Sequence, residues 1–229
     1  MRYECEQVEL KRKDDGTDLY LTKFWCPASW QDKNILMVHG LTYTQHIFDI
    51  KYKDYSVCEY FAKNGYTVWR LHLSGYGKSG KYEDGWKVTT QHAAEDKIYA
   101  LEKICELQGV EKLDLLGWSW GTMTTSEVAS QRPDLLKKVV WLGPCFGGAF
   151  EATPVTELHG MWVDHTYAQD GGHGRPNGGA KEIMEIGDGW LIDTKAVKLL
   201  HLHGAGHAMY LEKDYYQTTR EAILKFISE

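Results

Sequence analysis

Residues 113–122 read L-D-L-L-G-W-S-W-G-T, and they carry the strongest signal for the type of fold. An apolar, strand-like run leads into Gly117, and a helix-like segment begins at Ser119. The motif G-x-S-x-G, from Gly117 to Gly121, therefore lies directly between a strand and a helix. Such a turn is strained and exposes the serine Oγ, and glycines flank it because larger side chains would collide. The following helix directs its N–H groups at a developing oxyanion. The context favours a nucleophilic Ser119 over a glycine-rich turn with an incidental serine.

Strand-like and helix-like segments alternate on both sides of this turn. Strands are predicted at residues 6–10, 18–25, 34–38, 66–73, 112–117, 138–142 and 197–203, and helices at 54–64, 90–107, 119–131 and 213–228. The first two strands, joined by a turn at Asp14-Asp15-Gly16, read as a β-ribbon. Later strands alternate with helices, which implies right-handed βαβ units and a parallel sheet covered on both faces. We therefore expect an α/β domain with a mostly parallel sheet.

One long segment interrupts the alternation. Residues 146–193 are rich in glycine, aromatic residues and histidine, and they contain the run G-G-H-G-R-P-N-G-G. We interpret this segment as a lid or insertion over one end of the sheet. The predicted organisation is an N-terminal part of the core at 1–145, the lid at 146–193 and a C-terminal part of the core at 194–229.

Composition limits the classes of protein to which the chain can belong. Its 229 residues are 43% hydrophobic and 25% charged, which is typical of one globular domain. Acidic residues outnumber basic ones by 32 to 26, and the net charge of −6 argues against a nucleic-acid partner. No apolar run approaches the ~18 residues of a membrane span. The N-terminus lacks the apolar core of a signal peptide, and five scattered cysteines form no C-x-x-C pair, so we expect a cytoplasmic protein with free thiols.

Three further landmarks, together with the serine turn, resemble the α/β-hydrolase family. His39-Gly40 follows the third strand as in that family's oxyanion loop, and residues 74–79 (S-G-Y-G-K-S) are similar to the loop after its fourth strand. Gly204-Ala205-Gly206-His207 resembles the loop that holds the catalytic histidine. The four landmarks occur in the family's order and cover most of the chain. The resemblance implies an α/β-hydrolase fold with a small lid.

The resemblance also implies a role for each residue of the site. Ser119 would be the nucleophile and His207 the general base, with the backbone N–H groups of Leu41 and Trp120 as the oxyanion hole. The chemistry agrees, because serine is a poor nucleophile unless a histidine within ~2.6–3.2 Å takes its proton. We expect hydrolysis of a carboxylic ester in a small-molecule substrate. The same machinery also serves lactones, amides and carbon–carbon bonds, and fold alone does not choose among them.

Aromatic residues near the serine suggest an apolar pocket for the acyl or alcohol group. Trp118 precedes the nucleophile, and Phe146 and Trp162 come from the predicted lid and its approach. For Trp118, packing in the core is an equal alternative, because large aromatics dominate cores as readily as pockets.

The acid that orients the histidine in this family has no clear counterpart. The best local match is Asp188, which ends a short strand-like run, but the stretch from Gly187 to Ala196 is only ten positions long. Parallel strands need a crossover of a dozen or more residues. Three explanations stay open: the acid-bearing strand is missing from this chain, the acid is Asp188, Asp193 or Asp164, or the protein is a hydrolase-fold ligand-binding relative without efficient turnover.

Two other motifs suggest cofactors or metals. The run 75–80 matches G-x-G-x-x-G, but a polar loop follows where a dinucleotide site needs a helix, so no cofactor is expected. His201, His203 and His207 have H-x-H spacing, yet no nearby carboxylate or cysteine completes a ligand set. We therefore expect no metal.

Overall fold

Six strands form a single, mostly parallel sheet in a computed structural model that describes residues 1–144, 198, 200, 202 and 204–229. The strands are β1 (Glu4–Lys11), β2 (Asp18–Trp25), β3 (Lys33–Val38), β4 (Tyr66–His72), β5 (Leu113–Trp118) and β6 (Leu136–Leu142). Their order is β1-β2-β4-β3-β5-β6. Pairing is parallel among β3, β4, β5 and β6, whereas β2 is antiparallel to both β1 and β4. The predicted ribbon and parallel sheet are confirmed.

Within the described residues, four α-helices accompany the strands: α1 (Val57–Lys63), α2 (Thr90–Gln108), α3 (Trp120–Gln131) and α4 (Tyr216–Ser228). Compared with the predicted bounds, α3 begins one residue later, and α1 and α4 each begin three residues later. The Ser56 hydroxyl accepts the Glu59 N–H at 3.0 Å and so caps α1 after residues 54–56. Before α4, the Glu212 carbonyl accepts the Tyr215 and Tyr216 N–H groups, which holds residues 213–215 in a turn.

The helices cover both faces of the sheet, as expected. On β3, Leu36 and Val38 pack into the cluster that contains α2 and α3, while Ile35 and Met37 pack into the cluster that contains α1 and α4. Alternate strand residues point to opposite faces. Because both faces are covered, β3 is continuously apolar from Ile35 to Val38, which is why its sequence predicts a buried parallel strand.

The parallel strands end side by side at one edge of the sheet. Val38 pairs with Leu71 and with Gly117, and Trp118 pairs with Leu142. Loops that follow these strands therefore meet at the same edge. In open α/β sheets, ligands bind outside the carboxyl ends of the strands.

The predicted lid, residues 146–193, and most of the predicted strand at 197–203 lie outside the described residues. Both stay predictions. Among the helices that are described, none has the length and apolar character needed to cross a membrane.

Candidate active site

Ser119 occupies a strained turn between β5 and α3. Its φ is 57° and its ψ is −127°, a conformation that non-glycine residues rarely adopt. The Ser119 N–H donates to the Leu142 carbonyl at 3.0 Å, so the end of β6 helps to hold the turn. The predicted strand–turn–helix context of the serine is confirmed.

Three glycines allow the backbone to close tightly around this turn. A Cβ at Gly117 would lie 2.3 Å from the Gly121 carbonyl oxygen, and a Cβ at Gly121 would lie 2.7 Å from that of His39. A Cβ at Gly40 would lie 2.7 Å from the Ser119 Cβ. The predicted collision of larger side chains at the flanking glycines is therefore present, and Gly40 brings the loop after β3 against Ser119.

His39 fixes the loop that contains the predicted oxyanion donor Leu41. Its Nδ1–H donates to the Gly40 carbonyl at 2.8 Å, and its Nε2 accepts the Leu73 N–H at 3.4 Å. Complete burial lowers the pKa of His39 to about 4. The ring is thus neutral at physiological pH with both nitrogens engaged, and it serves the loop's conformation. Leu41 itself packs against the core next to the loop.

His207 lies at the same corner of the sheet as Ser119, on an exposed loop. The Trp118 indole N–H donates to the His207 carbonyl at 3.0 Å, and the two rings are 5.5 Å apart. At the end of β6, a Cβ on Gly143 would lie 3.2 Å from His207 Nδ1. The loop that contains His207 therefore contacts both Trp118, which precedes Ser119, and the end of β6.

Two other described histidines are buried in structural positions. His72 Nδ1 accepts the Lys78 N–H at 2.9 Å, and burial lowers the pKa of His72 to about 3. His92 Nε2 lies 3.0 Å from the Tyr82 hydroxyl, and burial lowers the pKa of His92 to about 4. Neither ring belongs to the loops around Ser119 and His207.

Glu212 holds the histidine loop, a role that sequence reasoning missed. Its Oε2 accepts the Gly206 N–H at 3.1 Å. A Cβ at Gly206 would approach Glu212 Oε1 to 2.8 Å, so the carboxylate lies against the backbone next to His207. A glutamate five residues beyond the histidine was the available signal, but sequence does not show that the chain folds back there.

The two tryptophans beside Ser119 are both buried. Trp118 is 3% exposed and packs its ring against Tyr43 and Tyr210, at centroid distances of 5.1 and 5.6 Å. Trp120 turns to the opposite face, where its indole N–H donates to Thr90 Oγ1 at 3.2 Å and its ring stacks on Tyr76. Both side chains have packing roles, and the pocket-lining role of Trp118 stays a prediction.

Lys97 of α2 is a second residue that sequence reasoning missed. It is fully buried, and its ammonium donates to the Gly121 carbonyl and to Thr125 Oγ1, both at 2.7 Å. The sequence did contain a signal of this burial, because Lys97 falls between Ala94 and Leu101 on the apolar stripe of the predicted helix. Burial lowers the pKa of Lys97 well below its usual range.

Five predicted site residues lie outside the described part of the chain: Phe146, Trp162, Asp164, Asp188 and Asp193. Across residues 1–144 and 204–229, no three potential metal ligands converge. His201 and His203 are not described, so the expected absence of a metal stays a prediction. After Gly80 the chain forms a loop with one short 3₁₀ helix at Gly85–Lys87, and α2 begins only at Thr90, as predicted from the polar sequence of this loop.

Comparison with known proteins agrees with this architecture. A model of the alpha/beta hydrolase fold matches residues 33–174, more than half of the chain. Epoxide hydrolase I of potato (Solanum tuberosum) is similar in structure, with a TM-score of 0.51 and 23% identity over 64% of this chain and 41% of that one. An epoxide hydrolase from Vigna radiata has a TM-score of 0.52 and 19% identity over 71% and 47%. The chain thus spans less than half the length of these structures, and the similarity concerns the fold.

Proposed function

Because the chain belongs to the alpha/beta hydrolase fold family, we propose that it is a serine hydrolase that cleaves a carboxylic ester through an acyl-enzyme on Ser119. The observation that supports this most is the left-handed backbone of Ser119 between β5 and α3. A non-glycine residue persists in such a conformation where the surrounding structure enforces it, and such residues cluster at active sites. The substrate is a small molecule.

Acylation begins when His207 takes the proton of Ser119 Oγ and the oxygen attacks the ester carbonyl. The carbonyl oxygen becomes an oxyanion, which the N–H groups of Leu41 and Trp120 stabilise. Collapse of this intermediate breaks the bond to the alcohol, and His207 returns its proton to the leaving oxygen. The acyl group remains on Ser119 as an ester.

Deacylation repeats these steps with water. His207 removes a proton from a water molecule, whose oxygen attacks the acyl carbonyl, and the same N–H groups stabilise the second oxyanion. When the bond to Ser119 breaks, the serine regains its proton from His207 and a carboxylic acid leaves. Lactones and amides could follow the same sequence, and the choice among them depends on the pocket.

The nucleophile's chemistry favours an ester over the epoxide substrates in the titles of the similar structures. A serine that opened an epoxide would be left as an alkyl ether, which has no carbonyl for water to attack. The enzyme would stop after one turnover. An ester leaves on the same serine an acyl group that water can remove, so Ser119 supports acyl transfer.

We assign the acid that orients His207 to Asp188, with Asp193 and Asp164 as the alternatives. A carboxylate that receives the Nδ1–H of the histidine keeps the correct tautomer and stabilises the charged ring. Asp188→Asn should therefore lower kcat by up to ~10⁴-fold, while the same change at the other two positions has little effect. Equal activity in all three variants contradicts the assignment.

Hydrolysis of 4-nitrophenyl acetate by the purified protein tests the proposal. The wild type should release nitrophenol with a burst, and Ser119→Ala should reduce the rate to background. Ser130→Ala, on the exposed end of the same helix, is the matched control and should retain full activity. Saturable binding of the ester without turnover by the wild type would instead support a ligand-binding relative.

A further inference from the structure

Lys97 places a charged group behind the nucleophile, inside the apolar contact between α2 and α3. The side chain is fully buried, and two acceptors in α3, the Gly121 carbonyl and Thr125 Oγ1, each lie 2.7 Å from its ammonium. Taking an ammonium out of water costs several kcal/mol unless its partners are excellent. A buried lysine beside a candidate site is therefore a candidate for a functional role.

No charged side chain competes with α3 for the ammonium of Lys97 among the described residues. The neighbouring carboxylate of Asp96 is engaged elsewhere, by Arg12 Nη1 at 2.5 Å and by the Ser74 N–H at 2.7 Å. Among the described residues, His39 on the loop after β3 is the other titratable group that interacts electrostatically with Lys97, and burial keeps it neutral. The two hydrogen bonds to α3 thus hold the ammonium.

A chain of peptide groups connects this ammonium to the oxyanion hole. The Gly121 carbonyl that accepts from Lys97 shares its peptide with the Thr122 N–H. That N–H donates to the Ser119 carbonyl at 2.8 Å. The Ser119 carbonyl in turn shares its peptide with the Trp120 N–H, one of the two donors that the proposed mechanism assigns to the oxyanion. Hydrogen bonds in such chains polarise one another, and a charged donor at the head strengthens the first bond.

We propose that Lys97 is a positioning residue for the oxyanion hole, which polarises the Trp120 N–H through these two peptides and fixes the first turn of α3. This inference rests on the proposed serine mechanism. Because the developing charge is on the oxyanion, the effect should be larger in the transition state than in the bound substrate. Loss of Lys97 should therefore lower kcat and leave KM nearly unchanged.

Lys97→Met tests the proposal, because methionine fills a similar volume without charge. Complete loss of one oxyanion donor costs ~10²–10³-fold in kcat, so a weakened donor should cost roughly 10-fold. Replacing a buried charge with an apolar side chain is often neutral or stabilising, so we expect an unchanged or higher Tm. Lys103→Met is the matched control on α2, where the lysine is partly buried and pairs with Glu106 at 3.2 Å; its kcat should not change.

Two results in the Lys97→Met kinetics overturn the proposal. One is a kcat within twofold of the wild type. The other is a kcat that falls only in proportion to the folded fraction, since that is what a purely structural role predicts. If the variant does not fold, Lys97→Gln replaces it, because the amide can still donate to the Gly121 carbonyl without a charge.

The pH dependence gives a readout that packing does not affect. Burial lowers the pKa of Lys97 well below its usual range, and the nearby Asp96 carboxylate opposes this shift. The wild-type kcat should therefore decline on the alkaline side as the ammonium loses its proton. Lys97→Met should lack this decline, whereas Lys103→Met should keep it. An identical alkaline profile in the wild type and Lys97→Met contradicts the role of the charge.

An amide spectrum separates this inference from the proposed function. In ¹H–¹⁵N spectra, the Trp120 amide proton should shift upfield in Lys97→Met and stay in place in Lys103→Met. An unmoved Trp120 resonance overturns the inference even if the wild type hydrolyses the ester. If the wild type has no ester activity, the proposed function fails, and the Trp120 resonance still decides whether Lys97 polarises this group.

Discussion

At the scale of single residues, the site depends on how closely two backbones approach. Gly40 lies against Ser119, and a Cβ there would also come within 2.9 Å of the Trp118 carbonyl oxygen. Both contacts involve groups that cannot rotate away. The absence of a side chain at Gly40 therefore sets the position of the loop after β3 relative to Ser119.

Gly40→Ala should lower kcat/KM by at least ~10²-fold, because a displacement of about 1 Å at a catalytic site can cost that much. The variant should also lose about 1–3 kcal/mol of stability through overpacking. Gly109→Ala is the control, because its φ of 65° makes alanine unfavourable while nothing lies within 4 Å of the new Cβ. It should lose about 1 kcal/mol and keep full activity. Ester kinetics and chemical denaturation measure both quantities, and full activity in Gly40→Ala would show that the loop position is unimportant.

At the scale of elements, sequence predicted the strands and helices near the site well, and it missed contacts between elements. Strands were predictable because their apolar patterns reflect burial in the sheet. For β2, the predicted bounds and the observed bounds are the same. The hydrogen-bond partners of Lys97 and Glu212 were not predictable from sequence. Gly121 is 24 residues from Lys97, and the contact between Glu212 and the Gly206 N–H requires the chain to fold back. The register shift between β5 and β6 also has no local signal.

That register shift explains a buried carboxyl on β5. Two residues of β6, Lys137 and Lys138, lie opposite Asp114. One oxygen of the Asp114 side chain, Oδ1, is buried without a hydrogen-bond partner among the described residues. Burial raises the pKa of Asp114 to about 6, above the usual value of 3.8.

The raised pKa predicts how stability depends on pH. A carboxyl whose pKa is higher in the folded state contributes its full stability below about pH 4 and loses that contribution as the pH rises through 6. Relative to Asp114→Asn, the wild type should therefore become less stable by about 2 kcal/mol between pH 4 and pH 7. Urea denaturation at both pH values measures the difference, with the exposed Asp32→Asn as control. A difference independent of pH would contradict the raised pKa.

The loop that contains His207 supplies a further element-scale prediction. Glu212→Ala removes the acceptor of the Gly206 N–H and should lower kcat about 10-fold with little loss of stability, because a catalytic group that moves slightly loses its geometry. Glu212→Gln keeps an oxygen acceptor and should retain most of the activity. Glu221→Ala, at an exposed position on α4, is the control. If Glu212→Gln is as impaired as Glu212→Ala, the negative charge matters rather than the hydrogen bond.

At the scale of the whole molecule, the parallel sheet brings the site together. Ser119 follows β5, Gly40 follows β3, and the His207 loop contacts the ends of β5 and β6. Four sequence landmarks in the right order predicted this convergence, because parallel strands all end at the same edge. The acid could not be derived in the same way, since the ten positions from Gly187 to Ala196 are too few for an ordinary crossover.

Covalent labelling of the wild type directly tests whether Ser119 is the nucleophile. An alkyl fluorophosphonate should modify Ser119 Oγ, because a serine activated by a histidine attacks the phosphorus and displaces fluoride, and the resulting adduct resembles the tetrahedral intermediate. After digestion, mass spectrometry should find one modified peptide, with the adduct on Ser119 and none in Ser119→Ala. Folded wild-type protein that stays unmodified at Ser119, or a Ser119→Ala variant labelled to the same extent, would contradict the account.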